Sequence, residues 1–151
     1  MKLSIIIPVY NEEKTIGKIV NKVEKVNLEK IKKELIIVND ASKDNTNNKL
    51  KKLVKKYKNI RVFSHKVNQG KGAAIKTGLK YFTGEIIVIQ DGDLEYNPED
   101  FKILIKPLIE KKAKVVYGSR LLGEERGFNV PLHYIGNRIL SLITRILYFK
   151  R

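Results

Sequence analysis

The chain opens on an almost uninterrupted apolar, β-branched run, LSIIIPV over residues 3–9, the pattern of a strand buried on both faces, as in parallel sheets. Ile16, Ile19, Val20 and Val23 then recur at helical spacing, with Asn11, Glu12 and Glu13 ahead of them as a cap and acidic first turn. The same alternation repeats. ELIIVND (34–40) predicts a second strand, and the polar turn ASKDNTNN leads into a helix carrying Leu50, Leu53, Val54 and Tyr57. IRVFSH (60–65) predicts a third strand, and the glycine-spaced NQGKGAAIKTG opens a helix reaching about residue 82. EIIVIQ (85–90) predicts a fourth strand, Phe101, Ile105 and Leu108 a helix, and KVVYGS (114–119) a fifth strand.

Strands alternating with amphipathic helices over short loops specify an α/β fold: a mostly parallel sheet, Rossmann-like, with helices on both faces. Ligands of such open sheets bind beyond the carboxyl ends of the strands. Those ends hold Val9-Tyr10-Asn11, Asn39-Asp40, Asp91-Gly92-Asp93 and Gly118-Ser119-Arg120. The last segment differs in kind. Ile135, Ile139, Leu142, Ile143, Ile146 and Phe149 fall on one helical face, widened by Leu140 and Leu147 and edged by Arg138 and Arg145. Two readings stand for it: a helix packed on the domain, or an amphipathic helix lying on a membrane interface or a partner helix. No internal repeat or low-complexity linker appears.

Composition narrows the field a little. At 151 residues with ordinary apolar content, the chain is expected to form one main domain with a proper core. It has no cysteine, so disulfides and thiolate metal ligands are excluded and any metal must bind oxygen or histidine. The formal charge of +15 favours polyanionic partners. Scattered lysines such as Lys49, Lys51, Lys52, Lys55 and Lys56 are equally the solvated face of a helix. Nucleic acid is not the expected partner, because no recognition-helix or base-stacking motif accompanies the charge. No signal peptide and no run of about 18 to 20 apolar residues is present, so a membrane-spanning segment is not expected.

Against this basic background, VIQDGDLEYNPED (88–100) concentrates Asp91, Asp93, Glu95, Glu99 and Asp100 directly after an apolar strand. Two carboxylates flanking a glycine at a strand end can approach one hard cation such as Mg²⁺ or Mn²⁺ bridging a diphosphate. The plainer reading is an acidic turn capping the next helix through Asn97, Glu99 and Asp100. The company kept at the other strand ends distinguishes the two. SIIIPVYNEEKTI, LIIVNDASKDNT, NQGKGAAIKTGL, GEIIVIQDGDLEYNPEDF and VVYGSRLLG, in this order and spacing, resemble the GT-A domain of family 2 glycosyltransferases. The branch that includes dolichol-phosphate mannose synthase and polyprenyl-phosphate hexosyltransferases is the most similar, and the resemblance covers essentially the whole chain.

The resemblance implies a nucleotide-sugar pocket lined by Pro8, Tyr10, Asn11 and Glu12, with Asp40 at the base and Lys71 near the nucleotide or its phosphates. It implies that Asp91, Gly92 and Asp93 meet the donor, that Asp91, Asp93 and Glu95 hold Mg²⁺ or Mn²⁺, and that Arg120 attends the phosphates. Asp91, Asp93 and Arg120 would then be the catalytic groups. From local sequence alone Tyr10 is equally a half-buried aromatic, Asp40 a turn cap, and Gly70, Gly72 and Gly78 packing glycines. Arg120 is favoured more by its guanidinium, which matches phosphate oxygens. Gly92 stands where Ala is usual, a change expected to be harmless, and Asn39-Asp40-Ala41 stands where Asp-Asp-Gly is common.

The expected activity is inverting transfer of a hexose from a GDP-mannose or UDP-glucose type donor to a polyprenyl phosphate. A phosphate acceptor, largely dianionic near neutral pH because its second pKa is about 6, needs no general base. Arg126, His133 and Arg138 are the candidates to meet that phosphate. Residues 1–130 would form the donor-binding domain and 131–151 an interfacial helix, placing the protein peripherally on the cytoplasmic face of a membrane, with a homo-oligomer through that helix as the other use of its apolar arc. Related enzymes continue beyond this helix with an acceptor-side segment. The alternative is therefore a catalytically incomplete donor-binding or scaffolding domain. A sugar nucleotidyltransferase is disfavoured because PVYNEEKT lacks the glycine-rich, basic N-terminal loop of that class.

Overall fold

A computed structural model describes residues 1–118. Contacts divide the chain into two units, Met1–Val116 and Tyr117–Arg151. Four strands, β1 (Lys2–Val9), β2 (Lys32–Asn39), β3 (Ile60–Ser64) and β4 (Ile86–Ile89), alternate with helices α1 (Ile16–Lys25), α2 (Thr46–Lys56), α3 (Lys71–Gly78) and α4 (Phe101–Ile109). The sheet is parallel at every pairing and its order is β3-β2-β1-β4. Chain order therefore runs outward from β1 to β3 and then jumps to the far side of β1. The point of reversal lies between β1 and β4, where such sheets open a ligand crevice.

Strand periodicity sorts the core into two layers. Leu3, Ile5 and Ile7 of β1 with Leu35 and Ile37 of β2 point to one face and pack with Ile19, Val20 and Val23 of α1, Leu50 and Leu53 of α2, and Phe101 and Ile105 of α4. Ile6, Ile36 and Val38 point to the other face and meet α3 through Ala74. This is why the first two strands read as continuous apolar runs. Helix α3 lies close to the sheet: a Cβ at Gly78 would stand 2.6 Å from Ile6 Cγ2. The last carbonyls of α1 are met by the Lys33 ammonium, which donates to Val23, Glu24 and Val26 at 2.7–2.9 Å, so groups left over at a helix end are satisfied from β2.

Pro8 explains where the crevice opens. The carbonyls of Lys2 and Ile6 accept from the Glu85 and Gln90 amides, whereas the Val9 carbonyl accepts from Asp40. Even-numbered positions of β1 thus face β4, and at Pro8 the donor on that side is missing. Pairing with β4 ends at Ile6, while pairing with β2 continues to Val9.

Three local expectations are corrected. The residues before α1 do not form an acidic first turn: its N-cap is Thr15, and no acid stands in the first turn. The Thr15 hydroxyl instead donates to the Glu12 carboxylate. Helix α3 stops at Gly78 rather than near 82, and residues 79–81 form a turn after it. Residues 114–118 form no strand among the described residues, and Val115 and Tyr117 are exposed. An apolar alternation supplies a face but not a partner. No helix among the described residues is long and apolar enough to cross a membrane.

Candidate active site

A cavity of about 380 Å³ lies beyond the carboxyl ends of β1, β2 and β4. Its walls come from four pieces of chain. The end of β1 contributes Pro8, Val9, Tyr10 and Glu12; the end of β2 contributes Asp40; the turn into α3 contributes Asn68, Gly70, Lys71 and Ala74; and the end of β4 contributes Asp91, Gly92 and Asp93. Pro8, Tyr10, Glu12, Asp40, Lys71, Asp91, Gly92 and Asp93, singled out from the sequence for the donor, all line this one space, and Asn11 does not. Asn11 instead clasps the neighbouring loop: its side-chain oxygen accepts from Lys43 N at 2.8 Å, and its backbone N–H donates to Ser42 Oγ at 2.9 Å. It holds that position at a φ of 56°, a conformation that asparagine tolerates better than most residues. Arg120, Arg126, His133 and Arg138 lie outside the described residues.

The acidic wall is organised as follows. Asp91 is mostly buried, and the Lys71 ammonium sits across both its oxygens at 2.6 and 2.7 Å. Asp93 is half-buried and accepts the Glu95 amide at 3.0 Å, so part of its capacity is spent shaping the turn. Glu95 is exposed and does not line the cavity. Among the described residues no three carboxylates or imidazoles gather as a ready-made metal site. Asp91 and Asp93 nevertheless offer hard oxygen donors facing one space, and Asp91 already attracts a cation in Lys71. These two fit a Mg²⁺ or Mn²⁺ ion that takes its remaining oxygens from a diphosphate or water. Asn97 accepts the Glu99 amide and caps the short turn at Pro98–Asp100 that leads into α4, while the N-cap of α4 itself, Asp100, makes no side-chain capping hydrogen bond.

Gly92 occupies a tight place. A Cβ there would lie 3.0 Å from Val9 Cγ1 and 3.3 Å from Glu12 Cγ. An alanine at this position would need the Val9 and Glu12 side chains to yield by a few tenths of an ångström.

Asp40 is the most constrained residue of the site. Its side chain is 4% exposed. Oδ1 accepts from the Gln69 amide at 2.9 Å and faces His65 Nδ1 at 2.6 Å, while Oδ2 accepts from the Gly70 amide at 2.7 Å. Its backbone carbonyl takes Asn68 Nδ2 at 3.2 Å. Burial pushes the Asp40 carboxyl up, but the hydrogen bonds from Gln69, His65 and Gly70 outweigh it and hold the group below the usual carboxylate range. The carboxylate expected to meet a base thus spends itself largely on the loop that forms the opposite wall.

Asn68, Gly70 and His65 were not singled out from the sequence as site residues. A signal for His65 was present: once β2 and β3 are read as parallel, with Asn39 opposite Ser64, the next residues on each, Asp40 and His65, fall side by side.

Comparison with known proteins gives one consistent picture. The family model described as glycosyl transferase family 2 matches residues 4–150. A UDP-N-acetylglucosamine–dolichyl-phosphate N-acetylglucosaminyltransferase of Methanococcus voltae is 37% identical over 95% of this chain and 62% of its own length. A dolichyl-phosphate β-glucosyltransferase, ALG5A of Trichomonas vaginalis, is 38% identical over 82% of this chain and 41% of its own. The chain therefore spans less than two thirds of either relative. Among solved structures, the Pyrobaculum calidifontis mannosyltransferase PcManGT in complex with GDP-Man and Mn²⁺ superposes with a TM-score of 0.59 at 27% identity, over 65% of this chain and 29% of that one.

Proposed function

Because the chain belongs to glycosyl transferase family 2, we propose that it acts as an inverting hexosyltransferase whose acceptor is a polyprenyl phosphate. The observation that carries this reading is the convergence of Asp91, Asp93 and Lys71 on one cavity at the β1/β4 reversal, between the strand ends that hold Tyr10 and Asp40. The relatives named for dolichyl-phosphate sugar transfer support the choice of acceptor.

In this scheme the nucleotide lies along Tyr10 and Glu12, and the diphosphate spans from Lys71 to Asp91 and Asp93. A Mg²⁺ or Mn²⁺ ion on the two aspartates would neutralise charge on the departing diphosphate. Lys71 is placed to do part of the same work: its ammonium is on a flexible stem, 60% exposed, and can turn from Asp91 to a phosphate oxygen. The chain contributes chiefly orientation and positive charge, because a polyprenyl phosphate is already nucleophilic near neutral pH. Arg120 assists at the phosphates, and Glu95 completes the acidic turn. Arg126, His133 and Arg138 are the groups proposed to receive the acceptor phosphate, and residues 131–151 to bind the cytoplasmic membrane surface.

The test is transfer of radiolabelled hexose from UDP-glucose or GDP-mannose to a short-chain polyprenyl phosphate in detergent with Mn²⁺. Label extracted into the lipid phase and lost in Asp91→Asn supports the proposal. Donor binding without lipid-linked product would overturn the transferase reading in favour of a donor-binding domain.

A further inference from the structure

His65 stands one residue beyond β3. The pairing of Asn39 with Ser64 sets it beside Asp40, and its amide donates to the Asn39 carbonyl at 2.9 Å. Its ring bridges two elements. Nδ1 lies 2.6 Å from Asp40 Oδ1, Nε2 lies 2.9 Å from Thr77 Oγ1 on α3, and the side chain is 9% exposed. An ionised carboxylate only accepts, so Nδ1 carries the proton and donates to Asp40. In the neutral ring Nε2 then accepts from the Thr77 hydroxyl. One imidazole thus joins the end of β2 to α3, and through Asp40 it also joins the amides of Gln69 and Gly70.

Helix α3 needs such a tie more than its neighbours do. It is 8 residues long, buries only Ala74 and Gly78, and has no side-chain hydrogen bond at its N-cap, Gly70, which adopts a φ of 87°. Apolar contact fixes its distance from the sheet, but two small residues restrain sliding and rotation weakly. Lys71 is its first residue and Thr77 lies near its last. A rotation of the helix would carry Lys71 away from Asp91.

We propose that His65 is a positioning residue for the donor site: by bridging Asp40 and Thr77 it locks the 68–70 loop and α3 in the register that brings Lys71 to Asp91. This rests on the donor-site reading of the cavity. The ring touches no donor atom in this scheme, and its effect on affinity passes through Lys71 and the Gly70 backbone.

Two measurements on the whole chain test it. The first is amide hydrogen exchange in the wild type, His65→Ala, His65→Asn and Thr77→Val. Removing the ring is expected to raise exchange at Gln69, Gly70 and the first turn of α3 about tenfold, with β1 and β2 unchanged. His65→Asn, whose amide supplies a donor in the place of Nδ1, restores protection at Gln69 and Gly70. Thr77→Val, nearly isosteric, loosens α3 while sparing Gln69, and keeps the test decisive if His65→Ala fails to fold. The second is calorimetric titration of UDP and of GDP with Mn²⁺: whichever binds the wild type should weaken about tenfold in His65→Ala and about threefold or less in His65→Asn.

A rise in exchange spread evenly over the strands overturns the proposal, since His65 would then be a general stabiliser. So does unaltered loop exchange, or nucleotide affinity that survives a loosened loop. If the wild type binds neither nucleotide, the donor-site reading fails, while the exchange pattern still decides whether His65 sets the loop and α3.

Discussion

Replacing Asp40 with asparagine separates a residue that holds the loop from one that merely waits for a base. Three donors converge on its carboxylate: the Gln69 amide, the Gly70 amide and His65 Nδ1, at 2.9, 2.7 and 2.6 Å. An asparagine oxygen in the place of Oδ1 still serves Gln69 and His65, but as a neutral acceptor. Its NH₂ then confronts the Gly70 N–H, donor against donor, and that amide keeps only its 3.2 Å contact to Asn68 Oδ1. Hydrogen bonds to a charged group contribute about 1.5–3 kcal/mol each, and leaving a buried donor poorly met costs about 1–3 kcal/mol. One lost bond and two weakened ones set the expected loss for Asp40→Asn at about 2–4 kcal/mol. With a urea dependence of about 1–3 kcal/mol per molar, the unfolding midpoint followed by circular dichroism at pH 7 should fall by about 1–2 M. The pH dependence gives a second reading. The folded carboxyl is held below its unfolded value of about 3.9; its contribution is therefore complete above that pH and is lost as pH falls through the lower folded value. The difference between wild type and Asp40→Asn should accordingly shrink below about pH 4. A loss under about 0.5 kcal/mol at pH 7, or a difference independent of pH, would refute the anchoring role.

Gly78→Ala should destabilise the fold. Its Cβ would meet Ile6 Cγ2 at 2.6 Å, and overpacking costs of about 1–3 kcal/mol exceed the roughly 1 kcal/mol that alanine gains in helix propensity; a raised melting temperature would contradict the close seating of α3 on β1. Lys71→Met should leave the melting temperature almost unchanged, since an ion pair whose lysine is 60% exposed contributes about 0–1 kcal/mol, yet should weaken binding of UDP or GDP about tenfold. A variant that binds nucleotide as well as wild type would remove Lys71 from the phosphate site.

The strands and their parallel layout were legible because Leu3 to Val9 and Leu35 to Val38 are buried on both faces, and double burial leaves a continuous apolar run. The cavity wall was legible too, since a parallel sheet gathers its strand ends at one edge. What the sequence hid was the allocation of hydrogen bonds. Nothing in the local pattern distinguishes an Asp40 turned to a ligand from one saturated by Gln69, Gly70 and His65, because those donors lie 25 to 30 positions away. The Asn11 side chain is likewise engaged far along the chain, by the Lys43 amide 32 positions away. The failed strand at 114–118 shows the limit of periodicity, which marks the face a segment would bury and leaves open whether a neighbour exists to pair with it.

The central claim, that Asp91 and Asp93 hold a metal-bridged nucleotide sugar at the β1/β4 reversal, is tested most directly by calorimetric titration of UDP-glucose and GDP-mannose with and without Mn²⁺, on the wild type and Asp93→Asn. The predicted result is binding of one donor that requires Mn²⁺ and weakens at least about tenfold in the variant. Binding of neither donor, or binding indifferent to both the metal and Asp93, would contradict it and leave the acidic stretch as the turn that leads into α4.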